Sequence, residues 1–443
     1  MNGKIKPFGG VTEDMEYQET LDWLFGLENM GIKLGLSRFR DLLHHLGDPQ
    51  NRYRSVHVAG TNGKGSVCAM TASILKASGL STGLYTSPHL VDFRERIMID
   101  GEMISESDVV DLAREVREIE DRSTDSDDRP LTFFEVTTAI AFLYFARKEV
   151  QVAVIEVGMG GRLDATNVIV PDVSVITRIS KEHVQYLGDT VAKIAYEKAG
   201  IIKPGVTVIS AEDKPEVLKV LNSIAKDKGT YLSLAGIDFE YHVKGDDRSG
   251  VAVYLDSIGR VVQLPLLGDY QALNAAMACE AALELRKKGL KISEETIAEG
   301  LSKVVWPGRI EVIHDRPLVI FDVSHTPDGA KVIVEELRRI RRGRTTVVLG
   351  VLNDKDLDGI VKEFAKVSDA FIATMPKTKR AFTAEQVKDA MERYCQDVST
   401  NDDVGDSLRL ALNKSGQDDT VIVAGSLYTV GEAKRWWGGR EKN

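Results

Sequence analysis

Seven residues, Gly60-Thr61-Asn62-Gly63-Lys64-Gly65-Ser66, do most to restrict how this chain can fold. They lie between the apolar run Val56–Ala59 and a stretch with helical patterning, so strand, glycine turn and helix start are expected in direct succession. In such a unit the glycines let backbone N–H groups approach an oxyanion. The helix start adds partial positive charge, and a lysine adds a full one. The strict Walker spacing is not met. Val58 stands where the first glycine belongs, and Gly65 separates Lys64 from the hydroxyl of Ser66. A purely structural turn is the bland alternative. The flanking strand and helix favour a phosphate cradle, with ATP or a similar nucleotide as its ligand.

The rest of the chain extends the same alternation. Short β-branched runs at Val56–Ala59, Gly83–Thr86, Val152–Val157, Val173–Thr177 and Val206–Ser210 are separated by longer amphipathic segments, which predicts a parallel sheet covered by helices. Gly250–Leu255 and Arg260–Leu264 flank Ser257-Ile258-Gly259 and predict a hairpin in a small antiparallel layer. Asn274–Lys288 reads as an alanine-rich helix, and Asp121–Arg129 as an exposed polar loop. A second α/β unit begins near Trp306-Pro307-Gly308, with strands expected at Leu318–Val323, Thr346–Leu349, Ala370–Thr374 and Val421–Ala424. Lys303–Gly308 is the expected hinge, dividing the chain into domains 1–304 and 305–443 with a crevice suited to two substrates.

Bulk properties narrow the partners. A chain of 443 residues can build cores without covalent staples. Its formal net charge of −10 argues against a nucleic-acid footprint, which needs a basic face, but leaves room for a local basic pocket. Cys68, Cys279 and Cys395 are scattered and lack metal-site spacing, so reduced thiols are expected. The residues after Met1 form no apolar leader and no apolar run reaches membrane-spanning length. A soluble, cytoplasmic monomer is therefore expected, with small-molecule substrates and no nucleic-acid or membrane partner.

Several polar groups stand where strands should end, which is where open α/β sheets bind ligands. Glu156 closes the run Val154-Ile155-Glu156 and is followed by Gly158, Gly160 and Gly161, making it a candidate magnesium ligand rather than a helix cap or an ion-pair partner. His183 follows Thr177-Arg178-Ile179-Ser180-Lys181-Glu182, on a strand expected beside that of Glu156. Lys198 sits in Tyr196-Glu197-Lys198-Ala199-Gly200-Ile201, which reads as a helix end closed by Gly200; a solvated lysine is the commoner reading there. In the second unit, Asp322-Val323-Ser324-His325 closes a strand, and Arg309 beyond the hinge could bring a guanidinium to the phosphates.

Taken in register, Gly60–Ser66, Tyr85-Thr86-Ser87-Pro88-His89-Leu90, Glu156–Asn167, Glu197–Ile201, Pro307-Gly308-Arg309 and Asp322–Gly329 resemble the folylpolyglutamate synthase/dihydrofolate synthase family, the folate branch of the Mur-type ligases. Phe93–Ile97 and Gly425–Tyr428 fit as well. The resemblance implies an N-terminal P-loop parallel-sheet ATPase domain with a small antiparallel layer, followed by a C-terminal Rossmann-like α/β domain. It further implies ATP-dependent addition of L-glutamate to a folate or pteroate through an acyl phosphate.

By that resemblance Thr61, Asn62, Gly63, Lys64, Gly65 and Ser66 hold the phosphates, and Asn274, Arg309, Asp322 and His325 contact the nucleotide. Ser87, Glu156 and His183 ligate one magnesium, and a carbamylated Lys198 ligates a second. Lys64, Lys198, His183 and Arg309 are then the catalytic set, and Thr132, Phe134, Asp164 and Ala165 line the pterin side. Two departures stand out: Thr326 replaces an asparagine, and Tyr270 stands where histidine is common. A Mur-type peptidoglycan-precursor ligase and a P-loop switch or assembly ATPase remain the competing readings.

Overall fold

The computed structural model describes residues 13–30, 35–122, 130–247 and 249–441. The expected polar loop at Asp121–Arg129 falls mostly outside these residues, and its first two positions complete the helix Glu106–Arg122.

By contact density the chain forms two compact units. The first comprises residues 1–88, 94–240 and 274–301, and the second comprises 89–93, 241–273 and 302–443.

The first unit is built on an eight-stranded sheet. Its spatial order is Glu102–Met103, Ile97–Ile99, Thr82–Tyr85, Val152–Glu156, Arg54–Ala59, Val173–Ile176, Val208–Ser210 and Leu232–Leu234. Only the first two strands run antiparallel to their neighbours. The central strands are buried along nearly their whole length, as a sheet covered on both faces requires, which is why their sequences are continuous β-branched runs. All five runs expected from the sequence are strands, each within two residues of its expected bounds. Helices Val191–Lys198 and Pro215–Asp227 pack Ile194, Val217 and Leu221 onto Ile176 and Val208 of the sheet.

In the second unit a six-stranded sheet runs Glu311–His314, Leu318–Phe321, Thr420–Ala424, Thr345–Leu349, Ala370–Ala373 and Val398–Thr400. Alternation decides which face each residue serves. Leu318, Ile320, Val347 and Ile422 join the core under helices Pro327–Ile340 and Leu357–Phe364. Val319, Phe321, Val348 and Val423 join the core under helices Val404–Lys414 and Leu427–Glu441. Helices therefore cover both faces. The expected hairpin forms as Gly250–Leu255 and Arg260–Leu264, and a third strand, Tyr241–Asp247, completes an antiparallel sheet. Helix Tyr270–Lys287 starts four residues earlier than the alanine-rich pattern suggests.

No helix among the described residues is long and apolar enough to cross a membrane.

Candidate active site

Four strand ends of the first unit build the site. Arg54–Ala59 is central, with Val58 opposite Glu156 on one side and Ala59 opposite Ile176 on the other. Thr82–Tyr85 lies beyond the Glu156 strand, with Tyr85 opposite Ile155. The strand leading toward His183 was expected beside that of Glu156. Instead the phosphate-loop strand separates them, so the loop emerges with Glu156 on one flank and the Thr177–His183 segment on the other.

Glycine is required in the loop itself. Gly60 has φ +145°, and a Cβ there would lie 1.8 Å from Thr177 Oγ1. Gly63 has φ +97°, and a Cβ would lie 2.7 Å from Asn274 Oδ1, so Asn274 abuts the loop. Thr61 and Asn62 turn inward: their N–H groups donate to Arg178 O at 3.0 and 3.3 Å. The Thr61 hydroxyl donates to Ser180 O and accepts from Ser180 N–H, at 3.2 and 3.1 Å. The amides offered to an anion are then those of Lys64, Gly65 and Ser66, which open helix Lys64–Ala77 and have no intrahelical acceptor.

Two lysines converge on the same loop. Lys64 Nζ donates to Gly60 O at 3.0 Å and Thr61 O at 3.3 Å. Lys198, 1% exposed, donates to Gly60 O at 2.7 Å and to Glu182 Oε1. Burial pushes the Lys198 ammonium down to about 8, against the pull of Glu182 and with help from Lys64. Burial would raise Glu182, but the charges of Lys64 and Lys198 outweigh it and hold the carboxyl at about 2. Glu182 is a residue that sequence reasoning passed over; its one available signal was an acid directly before His183 in a polar post-strand segment.

Glu156 is 5% exposed, and its Oε2 accepts the Ser87 N–H at 3.1 Å, joining two expected ligands. His183 is exposed, with φ +46°, at the start of the short helix Val184–Leu187. Gly200 is not the left-handed helix cap its position suggested. Helix Val191–Lys198 continues into the 3₁₀ turn Ala199–Ile201, and glycine is needed because a Cβ would meet Arg162 Cα at 2.3 Å.

The four pterin-side candidates lie in two neighbouring segments. Phe134 stacks against Gly158, where a Cβ would come within 2.5 Å of the ring, and faces Tyr85 at 6.0 Å between centroids. Thr132 caps helix Phe133–Arg147 in a reciprocal box with Glu135. Asp164 accepts from Met159 N–H and Thr166 N–H at 2.9 and 3.0 Å, capping the turn that contains buried Ala165. These polar atoms shape the walls of the segment.

In the second unit Asp322 is buried. It accepts from Ile310 N–H at 2.9 Å and Ser324 N–H at 2.8 Å; burial raises its carboxyl while the neighbouring Arg309 lowers it. His325 Nδ1 meets Val323 O at 3.0 Å. Thr326 caps helix Pro327–Ile340 through Gly329 N–H, a task its hydroxyl performs as an asparagine would.

The sequence matches the Mur ligase middle domain over residues 58–282 and the Mur ligase glutamate ligase domain over residues 308–427. It is 34% identical to the dihydrofolate synthase/folylpolyglutamate synthase of Bacillus subtilis, covering 95% of this chain and 98% of the relative. The fold superposes with a TM-score of 0.87 on folylpolyglutamate synthase of Mycobacterium tuberculosis complexed with ADP and AMPPCP, at 33% identity over 96% of this chain and 99% of that one. It also superposes with a TM-score of 0.83 on the bifunctional folylpolyglutamate synthase/dihydrofolate synthase of Yersinia pestis complexed with AMPPNP and a manganese ion, at 30% identity over 97% and 100% of the two chains. With both Mur ligase domains present and near-complete coverage of these relatives, the chain belongs to the folylpolyglutamate synthase/dihydrofolate synthase family.

Proposed function

We propose that this protein couples L-glutamate to the carboxylate of a folate or of dihydropteroate, using ATP. The observation that carries this reading is the convergence of Lys64, Lys198 and three first-turn amides on one side of a loop whose flank holds the buried carboxylate of Glu156. That charge set suits a triphosphate with divalent counter-ions.

The reaction follows from what a carboxylate lacks. It cannot be aminated directly in water because oxide is a poor leaving group. Its oxygen therefore attacks the γ-phosphorus, the bond to the β-phosphate oxygen breaks, and ADP departs. The glutamate amine then adds to the acyl carbon, loses a proton and expels phosphate. Lys64 and the helix-start amides bind and orient the phosphates, and a dry, fixed cation cluster is worth more to the developing charge than water would be. Asn274, abutting Gly63, limits where the loop can move.

The donor chemistry fits magnesium: Glu156 would supply a carboxylate, Ser87, whose backbone N–H bonds that carboxylate, would supply a hydroxyl, and His183 would complete the set. Such an ion supplies Lewis-acid neutralisation of phosphate oxygens. Lys198 becomes a ligand for a second ion if its neutral amine adds carbon dioxide and releases a proton, and its lowered pKa supports that chemistry. For Arg309, Asp322 and His325 a nucleotide role rests on the family resemblance. Functional parts at 1–304 and 305–443 are supported by the two domain matches, one ending at residue 282 and the other beginning at residue 308. We further assign a monomeric state and a cytoplasmic location.

The test is to offer purified protein ATP, magnesium and glutamate with dihydropteroate or a reduced folate in turn, and to weigh the products. ADP release with glutamate-sized mass increments is expected. ADP without any new amide sinks the proposal.

A further inference from the structure

The geometry points to Asn167 as a positioning residue that fixes the spacing between the Glu156 loop and the Lys198 helix end, an inference that rests on reading both residues as metal ligands. Asn167 is 5% exposed and lies in the turn Ala165–Val168. Its Nδ2 donates to Arg162 O at 3.0 Å and to Gly200 O at 3.1 Å. Both partners are carbonyls, so only the NH₂ end of the amide can face them.

The first carbonyl belongs to the glycine loop that leaves Glu156. The second belongs to the turn that follows Lys198. Around this clasp the two backbones touch. Arg162 N–H donates to Glu197 O at 2.7 Å, and a Cβ at Gly161 would stand 2.8 Å from Lys198 O. The Arg162 guanidinium also pairs with the Glu197 carboxylate, at 3.0 Å from Nη2, so the segments stay joined without the two donors, but a pair of carbonyl dipoles would then face the same small space unscreened and the spacing would shift. The Asn167 Oδ1 is buried with no hydrogen-bond partner, which is unfavourable. An amide is thus held here for its donors while its acceptor goes unsatisfied.

Glu156 closes strand Val152–Glu156 and Lys198 closes helix Val191–Lys198, and the clasp ties the segments that follow these two ends. Its loss moves the two ligands relative to each other while leaving Lys64 and the helix-start amides in place.

The experiment is a manganese titration of the protein with a non-hydrolysable ATP analogue, followed by electron paramagnetic resonance, on the parent, Asn167→Leu and Lys198→Met. Asn167→Leu removes both donors at similar volume. Its manganese affinity is expected to fall about 10–100-fold, in the range seen when partners of metal ligands are removed, with metal-free nucleotide affinity unchanged. Asn167→Asp keeps the shape, lacks the NH₂ and carries the same titration should the leucine variant not fold. Manganese affinity equal to the parent in either folded variant overturns the clasp while Lys198→Met still weakens binding. Equal affinity in Lys198→Met and parent overturns the ligand reading and the clasp together.

Discussion

At the carboxyl end of the first sheet, Glu156 and Lys198 are buried beside a loop whose helix-start amides have no intrahelical acceptor. At the carboxyl end of the second sheet, Asp322 and Thr326 are occupied by the backbone around them. Both ends follow the same topological rule and both collect polar residues. The difference lies in what is left over. Lys64 and Lys198 bind only loop carbonyls and Glu182, partners weaker than a triphosphate, whereas each Asp322 oxygen already receives a backbone N–H. A polar strand end marks a place where chemistry can be installed; surplus charge marks where it has been.

The comparison is broken most directly by Lys64→Ala. It should lower kcat/KM by about 10²–10³-fold, the range for removing one preorganised charge-stabilising group, with Tm nearly unchanged; full turnover, measured as ADP release coupled to amide formation, would overturn the surplus-charge argument. Asp322→Ala should do the opposite and act on stability. It orphans the amides of Ile310 and Ser324, at about 1–3 kcal/mol for each buried group, read as a lower urea midpoint.

A third effect, absent at neutral pH and developing only in acid, comes from His57 on the central strand. It is wholly buried, with Nε2 at 2.8 Å from Thr166 Oγ1, and burial, aided by Lys203, lowers its pKa from 6.5 to about 3. The native state therefore binds fewer protons than the unfolded one between these values. The stability contributed is complete above pH 6.5 and is lost toward pH 3, at about 1.4 kcal/mol per pH unit. Denaturant titrations of His57→Asn should lack that slope, and an unchanged slope would reassign the acid sensitivity. Least of all, Thr326→Asn exchanges one good N-cap for another and should shift stability by only about 0.5 kcal/mol or less. A larger change in turnover would give position 326 a role beyond capping.

Much of the first unit was legible because parallel strands buried on both faces must be continuous apolar runs, and Val152–Glu156 and Val173–Ile176 are such runs. Short or edge strands such as Ile97–Ile99 and Leu232–Leu234 carry too few residues to show a period, and they were missed. Among site residues, the phosphate loop could be read from spacing. Glu182 could not, because its importance lies in a contact with Lys198 sixteen positions away.

The order of apolar runs, glycines and charged residues determined by itself that the chain would be an α/β protein with a phosphate loop, since those patterns arise from local sterics and from burial; ligase chemistry followed only from the resemblance of its motifs to a family. Tertiary structure alone decided that the loop strand lies between those of Glu156 and His183, that Thr61 and Asn62 turn inward, and that Gly200 serves a backbone contact rather than a cap. Strand order and close backbone approach depend on residues far apart in the chain, and no local period encodes them.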